Sequence, residues 1–208
     1  MAQRFQVDPD HPPLRPLRQA AQLIEHGAVA AVPTDSCYAL ACHLDDWDAV
    51  ERLRRIRSID QRHHLTLLCR DLSEIAAYAK VDNAQYRLLR QATPGPYTFI
   101  FEATREIPRR LSHPSRKTIG IRIPAHLALV ALLDVLGQAL ISTTLMLPGD
   151  ELPLNEPDEI RARLEHQIDL LIDSGACGVE PTTVIDLTGR QPVVVRLGRG
   201  PLAALGLE

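Results

Sequence analysis

Hydroxyl side chains gather where two predicted strands meet their loops. The run Ser142–Thr144 follows the apolar residues 139–141, and the pair Thr182–Thr183 opens the segment PTTVIDLT at residues 181–188. Hydroxyl groups donate and accept hydrogen bonds without carrying charge. In open α/β sheets, ligands bind in the crevice at strand ends. The pattern therefore predicts the polar floor of a binding site.

A third cluster lies in VPTDSCYAL at residues 32–40, where an apolar strand runs into Pro33, Thr34, Asp35 and Ser36. Such groups can hold a carboxylate or a carbonyl. They are equally typical of a turn that proline initiates and that Asp and Ser complete. Spacing alone leaves both interpretations open.

Arginines accompany these clusters. Arg57 lies at the end of a predicted helix, and Arg62 precedes the next strand. A guanidinium there can clamp phosphate, or it can belong to a solvated basic face. Arg122 alternates with Ile121 and Ile123, so it points to the opposite face of its strand and is either exposed or held in a crevice to receive an anion.

The sequence predicts no metal site and none of the common nucleotide or nucleophile motifs. His63 and His64 are adjacent, a spacing at which two residues rarely chelate one ion, and no Cys or Asp completes a ligand set. The patterns GxxxxGK[ST], GxGxxG and GxSxG do not occur. The residues alone thus indicate an anion-accepting crevice.

Periodicity predicts the elements that position these residues. Helices alternate with short apolar strands, which indicates an α/β fold, with one twisted, open, mixed sheet and flanking helices in a single domain over residues 1–208. In the second helix we expect Arg54, Arg55 and Arg57 to point largely outward. The predicted helices are 14–26, 45–57, 72–78, 83–91, 125–136 and 157–166, and the predicted strands are 28–32, 65–69, 97–101, 118–123, 139–143, 168–172, 183–187 and 193–196.

Composition narrows the class of protein. The formal net charge of −3 gives no global attraction for nucleic acid or anionic membrane. The four cysteines lack CxxC spacing, and three lie in or beside apolar strands, which favours a reducing compartment. No apolar stretch approaches the length of a membrane helix, and the polar N-terminus does not have the pattern of a signal peptide. We expect a soluble, cytoplasmic protein.

Taken together, the segments resemble the YrdC family of threonylcarbamoyl-AMP synthases over nearly the whole chain. The sequence variants YAL, CRDLSE and STTLMLPG most resemble those of its YciO subgroup. The segments that carry the resemblance, in order, are VPTDSCYAL, RRIRSIDQRHHLTLL, TPGPYTFI, KTIGIRIPAH, LISTTLMLPG, PTTVIDLT and VVVRLGRG.

The resemblance implies a YrdC-like fold and a reaction of ATP, bicarbonate and L-threonine, assisted by Mg²⁺, that forms threonylcarbamoyl-AMP and pyrophosphate for tRNA modification. It implies Arg57 and Ser142 as catalytic residues. The residues implied for the threonine moiety are Thr34, Thr182, Arg122 (which would pair with the carboxylate) and Tyr38, and those implied for the nucleotide are Arg57, Arg62, Ser142, Thr144 and Arg196.

Three positions depart from the family pattern. Where the family usually has a KxR pair, this chain has Arg57 and Ile59, so one cation of the pair is missing. His63 stands at the position of a further family lysine. The family motif STSAN is replaced by STTLM, so Met146 stands where an asparagine is usual. The loss of amide and cationic donors predicts weak activity or a changed substrate. On this interpretation Leu145–Leu147 remodel the wall of the nucleotide site, and Arg62 replaces the lost cation if its loop folds inward.

Two other functions remain open from the sequence. A basic face could bind double-stranded RNA or tRNA, and it would comprise Arg52–Arg62, Arg109, Arg110, Arg116 and Lys117. Alternatively, the crevice could serve a nucleotide-binding hydrolase or regulator with altered chemistry.

Overall fold

A computed structural model describes residues 1–207 as one ten-stranded mixed sheet with helices on both faces, which confirms the predicted fold class. The strands are β1 (Gln3–Gln6), β2 (Ala30–Val32), β3 (Ala39–His43), β4 (Thr66–Leu68), β5 (Tyr97–Glu102), β6 (Thr118–Arg122), β7 (Leu140–Thr144), β8 (Leu170–Asp173), β9 (Thr183–Asp186) and β10 (Val193–Arg196). The helices are α1 (Leu14–Glu25), α2 (Trp47–Arg57), α3 (Leu72–Tyr78), α4 (Asn83–Ala92), α5 (Leu127–Leu136) and α6 (Pro157–Leu164), followed by a short 3-10 helix at Leu202–Leu205.

The strands lie in the spatial order β1-β8-β2-β3-β7-β4-β6-β5-β9-β10. Parallel and antiparallel pairs are mixed, since β4 runs parallel to β6 and antiparallel to β7. This order brings β7, β4, β6, β5 and β9 side by side. The sequence analysis singled out four segments that therefore lie on or next to neighbouring strands: the hydroxyl run on β7, the Arg62 loop before β4, Arg122 on β6 and the threonine pair at the start of β9.

The two faces of the sheet are covered unequally. On one face, α2, α3, α4 and α6 pack against a large core that includes Tyr38, Phe99 and Ile141. On the other face, α1 and α5 pack against a smaller core that includes Ala41, Leu140 and Leu170. These two helices cover β8, β2 and the parts of β3 and β7 around Ala41 and Leu140. The rest of that face, from Ser142 on β7 across β4, β6, β5 and β9, stays open.

Two strands were missed by the sequence analysis. Strand β1 has the polar sequence QRFQ, and β3 follows the VPTDSCYAL motif, whose polar start was interpreted only as a site or a turn. Strand β3 pairs with both β2 and β7. It therefore joins the Thr34 loop to the Ser142–Thr144 strand.

The orientation of the arginines on α2 was predicted wrongly in part. Arg54 and Arg57 are buried, with 4% and 8% of their surface exposed, whereas Arg55 is exposed. The segment after the helix folds back over them, and Nη1 of Arg54 donates to the carbonyl oxygen of Asp60 at 2.5 Å. Within residues 1–207 no helix is long and apolar enough to cross a membrane.

Asp46 sets the start of α2, the helix that carries Arg57. Its Oδ1 accepts a hydrogen bond from the backbone N–H of Ala49 at 2.9 Å, which satisfies one of the free donors of the first turn. The chain leaves the helix at Ser58, whose φ of 51° is in the left-handed region. Both ends of the helix are therefore fixed locally.

We expect Asp46→Ala to lower the free energy of unfolding by about 1 kcal/mol, because the first turn loses its cap. Asp45→Ala is the matched control, since the exposed Asp45 side chain caps nothing, and it should change stability by less than about 0.5 kcal/mol. Urea denaturation measures both. Equal losses from the two variants would contradict the assigned cap.

Candidate functional site

A cavity of about 490 Å³ occupies the open half of the sheet. This volume is within the range of small-molecule sites. Its only charged side chains, among the residues that the structure describes, are those of three arginines. The residues that border it are Cys37, Ala39, Arg62, His63, His64, Thr66, Leu68, Thr98, Ile100, Gly120, Arg122, Ser142, Thr143, Thr144, Thr182, Val184, Val195 and Arg196.

The floor of the cavity is one row of residues across four strands. Ser142 pairs in register with Thr66, Thr66 with Gly120, and Gly120 with Ile100. The Ser142 hydroxyl donates to the carbonyl oxygen of Thr66 at 2.9 Å. A Cβ at position 120 would lie 2.9 Å from Thr66 Oγ1, so a larger residue would distort the floor. Glycine there keeps the row open.

Arg122 is held in the wall of the cavity by the Thr34 loop. Its Nη2 donates to Thr34 Oγ1 at 3.2 Å and to Asp35 Oδ1 at 2.5 Å. The Thr34 hydroxyl in turn donates to the carbonyl oxygen of Cys37 at 2.6 Å. The loop therefore forms a turn and also binds the Arg122 guanidinium. The two interpretations left open by its sequence, a turn and a part of the site, both apply.

Thr182 borders the cavity at the start of β9. Its hydroxyl lies 2.8 Å from the Thr98 hydroxyl, and its carbonyl oxygen accepts from Arg196 Nη2 at 2.9 Å. A register shift between Val194 and Arg196 forms a bulge in β10. Because a bulge re-aims side chains, both Val195 and Arg196 border the cavity.

Arg57 lies behind the cavity lining rather than on it. Its guanidinium forms no ion pair or hydrogen bond within residues 1–207, and its Nε is buried without a partner. Burial lowers its pKa, and its charge acts on the Cys37 thiol and on His63. A buried cation that lacks a carboxylate is electrostatically prepared for an anionic ligand.

The loop after α2 folds inward. Arg62 borders the cavity, as the sequence analysis required if this residue replaces a missing cation. Ile59, at the position of the absent family cation, packs instead against the main core. The positive charge at this end of the site therefore comes from Arg62 and not from position 59.

Two histidines also border the cavity and are largely neutral at pH 7. Loss of water around the His63 ring and the charges of Arg57 and Arg54 lower its pKa. Burial and the nearby His113 lower the pKa of His64, whose Nε2 lies 2.9 Å from Thr118 Oγ1. The cationic character of the site at neutral pH is therefore that of its arginines.

Most of the residues predicted for the site surround this one cavity: Arg62, Arg122, Ser142, Thr144, Thr182 and Arg196 border it. Thr34 does not border the cavity, but it accepts a hydrogen bond from Arg122, which does. Tyr38 does not border it, because side chains alternate along the strand and Tyr38 faces the main core, where its hydroxyl donates to the carbonyl oxygen of Gly175 at 2.9 Å.

The proposed remodelling of the wall by Leu145–Leu147 is not what the structure shows. Leu145 is completely buried in the main core, and none of the three residues borders the cavity. The backbone explains this, because Leu145 N–H donates to the carbonyl oxygen of Tyr38 and its own carbonyl oxygen accepts from Leu154. These apolar residues follow the hydroxyls because the chain re-enters the core.

Several cavity residues were missed by the sequence analysis. Thr66 and Thr98 lie inside strands, and their hydroxyls face the same side as Ser142. Asp35 was considered only as a turn former or general polar group. A polar residue inside an apolar strand was the available signal, but it becomes informative only when the strand order is known.

Four of the nine basic residues considered for RNA binding are buried or engaged in internal contacts. Arg52 pairs with Asp169 at 2.9 Å, Arg54 and Arg57 are buried, and the Arg110 guanidinium lies 4.8 Å from the centre of the Trp47 ring. The predicted RNA surface therefore has fewer free cations than its sequence implies. RNA binding remains a prediction.

Comparison with known proteins places the chain in a family. The family model Sua5/YciO/YrdC, described as "Telomere recombination", matches residues 22–198. The uncharacterized protein YciO of Escherichia coli (strain K12) is 50% identical over 200 residues, which cover 96% of this chain and 97% of that protein. The crystal structure of E. coli YciO superimposes with a TM-score of 0.95 over 99% of this chain and 100% of that chain, at 49% identity.

More distant relatives have names that mention threonine. A threonylcarbamoyl-AMP synthase of Halorhodospira halophila is 32% identical over 182 residues, covering 86% of this chain and 93% of that protein. The crystal structure of P. abyssi Sua5 complexed with L-threonine has the same fold, with a TM-score of 0.86 at 24% identity, over 94% of this chain and 57% of that chain. The match of the family model and the extent of these alignments show that the chain belongs to the Sua5/YciO/YrdC family.

Proposed function

We propose that the protein is a threonylcarbamoyl-AMP synthase-like nucleotidyltransferase that uses ATP, bicarbonate and L-threonine. The observation that carries the proposal is the convergence of three arginines and six hydroxyl-bearing residues on one cavity that no carboxylate of residues 1–207 borders. The 32% identical relative named as a threonylcarbamoyl-AMP synthase supports it, as does the threonine bound to P. abyssi Sua5.

In the proposed arrangement the two substrates occupy adjoining parts of the cavity. Arg122 and Thr182 receive the amino acid, with Thr34 behind Arg122, and Arg62 and Arg196 face the triphosphate, with the charge of Arg57 behind the lining. Arg196, which contacts Thr182, lies where the two parts meet. Ser142 and Thr144 donate hydrogen bonds between them. These residues orient two anions and reduce their repulsion, which are the main requirements of transfer at phosphorus.

The proposed reaction does not use a protein nucleophile. The amino group of threonine combines with bicarbonate, with loss of water, to form N-carboxythreonine. An oxygen of its carbamate attacks the α-phosphorus of ATP, the bond from that phosphorus to the oxygen that bridges to the β-phosphorus breaks, and pyrophosphate leaves with the electron pair. Cys37 borders the cavity, but burial raises the pKa of its thiol, so it is protonated at neutral pH. Arg57 and Ser142 would act on the charge and position of the reacting phosphate.

Mg²⁺ would arrive with the nucleotide. The residues bordering the cavity include no Asp or Glu, and residues 1–207 contain no cluster of three potential metal ligands. A protein site for magnesium usually supplies one or two carboxylates. The side chains therefore fit an ion carried by the phosphates better than a resident metal.

We expect turnover to be slow and to feed tRNA threonylcarbamoyladenosine synthesis. Ile59 and the mainly neutral His63 leave fewer cations at the phosphate end than the family pattern provides. Each lost charge-assisted hydrogen bond is worth about 1.5–3 kcal/mol. ATP hydrolysis without a threonine requirement would instead favour the alternative of a nucleotide hydrolase.

The first test measures pyrophosphate release in the presence of ATP, Mg²⁺, bicarbonate and L-threonine. We expect release that depends on threonine, and Arg122→Gln should raise the KM for threonine roughly 10- to 150-fold through loss of a charged contact. Arg55→Gln is the control because Arg55 is exposed. Threonine-independent release, or the same KM in both variants, would rule out the assigned substrate end.

The second test follows the binding of a non-hydrolysable ATP analogue between pH 7.5 and 6.0. The pKa values of His63 and His64 lie below their ordinary range, so both rings are neutral at pH 7.5 and gain a proton as the pH falls. A bound triphosphate favours the protonated rings, so wild-type affinity should increase by about two- to fivefold relative to the double variant His63→Gln/His64→Gln. Protonation of the ATP analogue affects both proteins equally, so it cancels in the ratio of wild-type to variant affinity. An unchanged ratio would remove the histidines from the phosphate end.

A further inference from the structure

One arginine of the cavity differs from the others because it already has an anionic partner. The Arg122–Asp35 pair is largely enclosed, with 7% and 13% of the two side chains exposed. Only one hydrogen bond joins it, from Nη2 to Oδ1 at 2.5 Å, while Arg122 Nε and Asp35 Oδ2 are buried without partners within residues 1–207. Because Nη2 is engaged and Nε is enclosed, the donors that Arg122 can still offer a ligand are those of Nη1.

The other arginines of the site are not neutralised. Arg57, Arg62 and Arg196 form no ion pair within the described residues 1–207. His126 packs near Asp35 and Arg122, but burial lowers its pKa, so it adds little charge to that end at pH 7. The charge of Arg122 is thus nearly balanced within the protein, whereas the charges of Arg57, Arg62 and Arg196 are uncompensated within the described residues.

This difference selects between ligands. A phosphate at Arg122 would bring two negative charges toward the Asp35 carboxylate in a poorly hydrated site, where repulsion is strong. A free amino acid, before its nitrogen is carboxylated, has no net charge, so its carboxylate can contact Arg122 while its ammonium offsets the repulsion. The unpaired arginines favour a polyanion.

We propose that Asp35 is the specificity-determining residue of the cavity: it reserves Arg122 for the carboxylate of an amino acid that enters as a zwitterion, and it excludes phosphate from Arg122. The proposal rests on the proposed function for the identity of the amino acid. Asp35 contacts Arg122 and not the substrate, so it is a positioning residue. It fixes which arginines each substrate contacts.

Inorganic pyrophosphate is the probe for this assignment. We compare the wild type with Asp35→Asn, which removes the charge and keeps an oxygen to accept from Arg122 Nη2. We expect pyrophosphate affinity at the Arg122 end to rise at least about tenfold, detected by calorimetry as one more bound equivalent than in the wild type. The exposed Asp10→Asn has the same change in net charge and should bind as the wild type.

A double variant, Asp35→Asn/Arg122→Gln, tests whether the gain passes through Arg122. It replaces the pair by neutral groups of similar shape, and such replacements of buried ion pairs are generally tolerated. The extra equivalent should disappear in this protein. A gain that persists would overturn the proposal, and so would unchanged stoichiometry in Asp35→Asn.

One measurement uses only the wild type, so it remains valid even when Asp35→Asn fails to fold, as shown by the lack of a cooperative melting transition. In the wild type, L-threonine should leave bound pyrophosphate in place, and displacement would overturn the proposal. The outcomes also separate the two hypotheses. Absence of threonine-dependent turnover removes the proposed function while the pyrophosphate count still tests Asp35, whereas turnover without a gain in Asp35→Asn removes only the role of Asp35.

Discussion

A guanidinium enclosed by protein needs an anion, because a buried unpaired charge is strongly unfavourable. The site depends on how two buried arginines meet this requirement. Arg122 meets it within the protein, through Asp35, while Arg57 has no carboxylate partner in the described chain. The charge of Arg122 is therefore balanced within the protein, and that of Arg57 is available to an anionic ligand. The proposed order of amino acid and triphosphate follows from this difference.

The sheet makes the arrangement possible by leaving half of one face uncovered. Helices α1 and α5 cover the other half, and the exposed half presents the row of Ser142, Thr66 and Gly120 as a floor. Backbone carbonyls and hydroxyls satisfy one another along this row. The floor is polar without being charged, so the arginines that border it determine which anions can bind.

Sequence periodicity predicted the fold class and most helices and strands, because each depends on local patterns. It also predicted that Arg122 opposes Ile121 and Ile123 on its strand, and the structure places it on the cavity side. It did not predict the partner of Arg122. Asp35 is 87 residues away along the chain, and the pairing depends on a strand order that no local pattern contains.

The same limit explains the error at Leu145–Leu147. An apolar run next to a hydroxyl cluster was interpreted as a changed wall of the site, yet a backbone hydrogen bond to Tyr38 directs Leu145 into the main core. Conversely, Arg62 was expected to compensate for Ile59 only if its loop folded inward, and it does border the cavity. Both outcomes depend on long-range contacts and not on residue type.

The most direct measurement is a crystal structure of the protein soaked with L-threonine and a non-hydrolysable ATP analogue. The account predicts both ligands in the cavity, with the amino-acid carboxylate within hydrogen-bond distance of Arg122 and the phosphates toward Arg62 and Arg196. Phosphate density at Arg122, or ligands bound only outside the cavity, would contradict it.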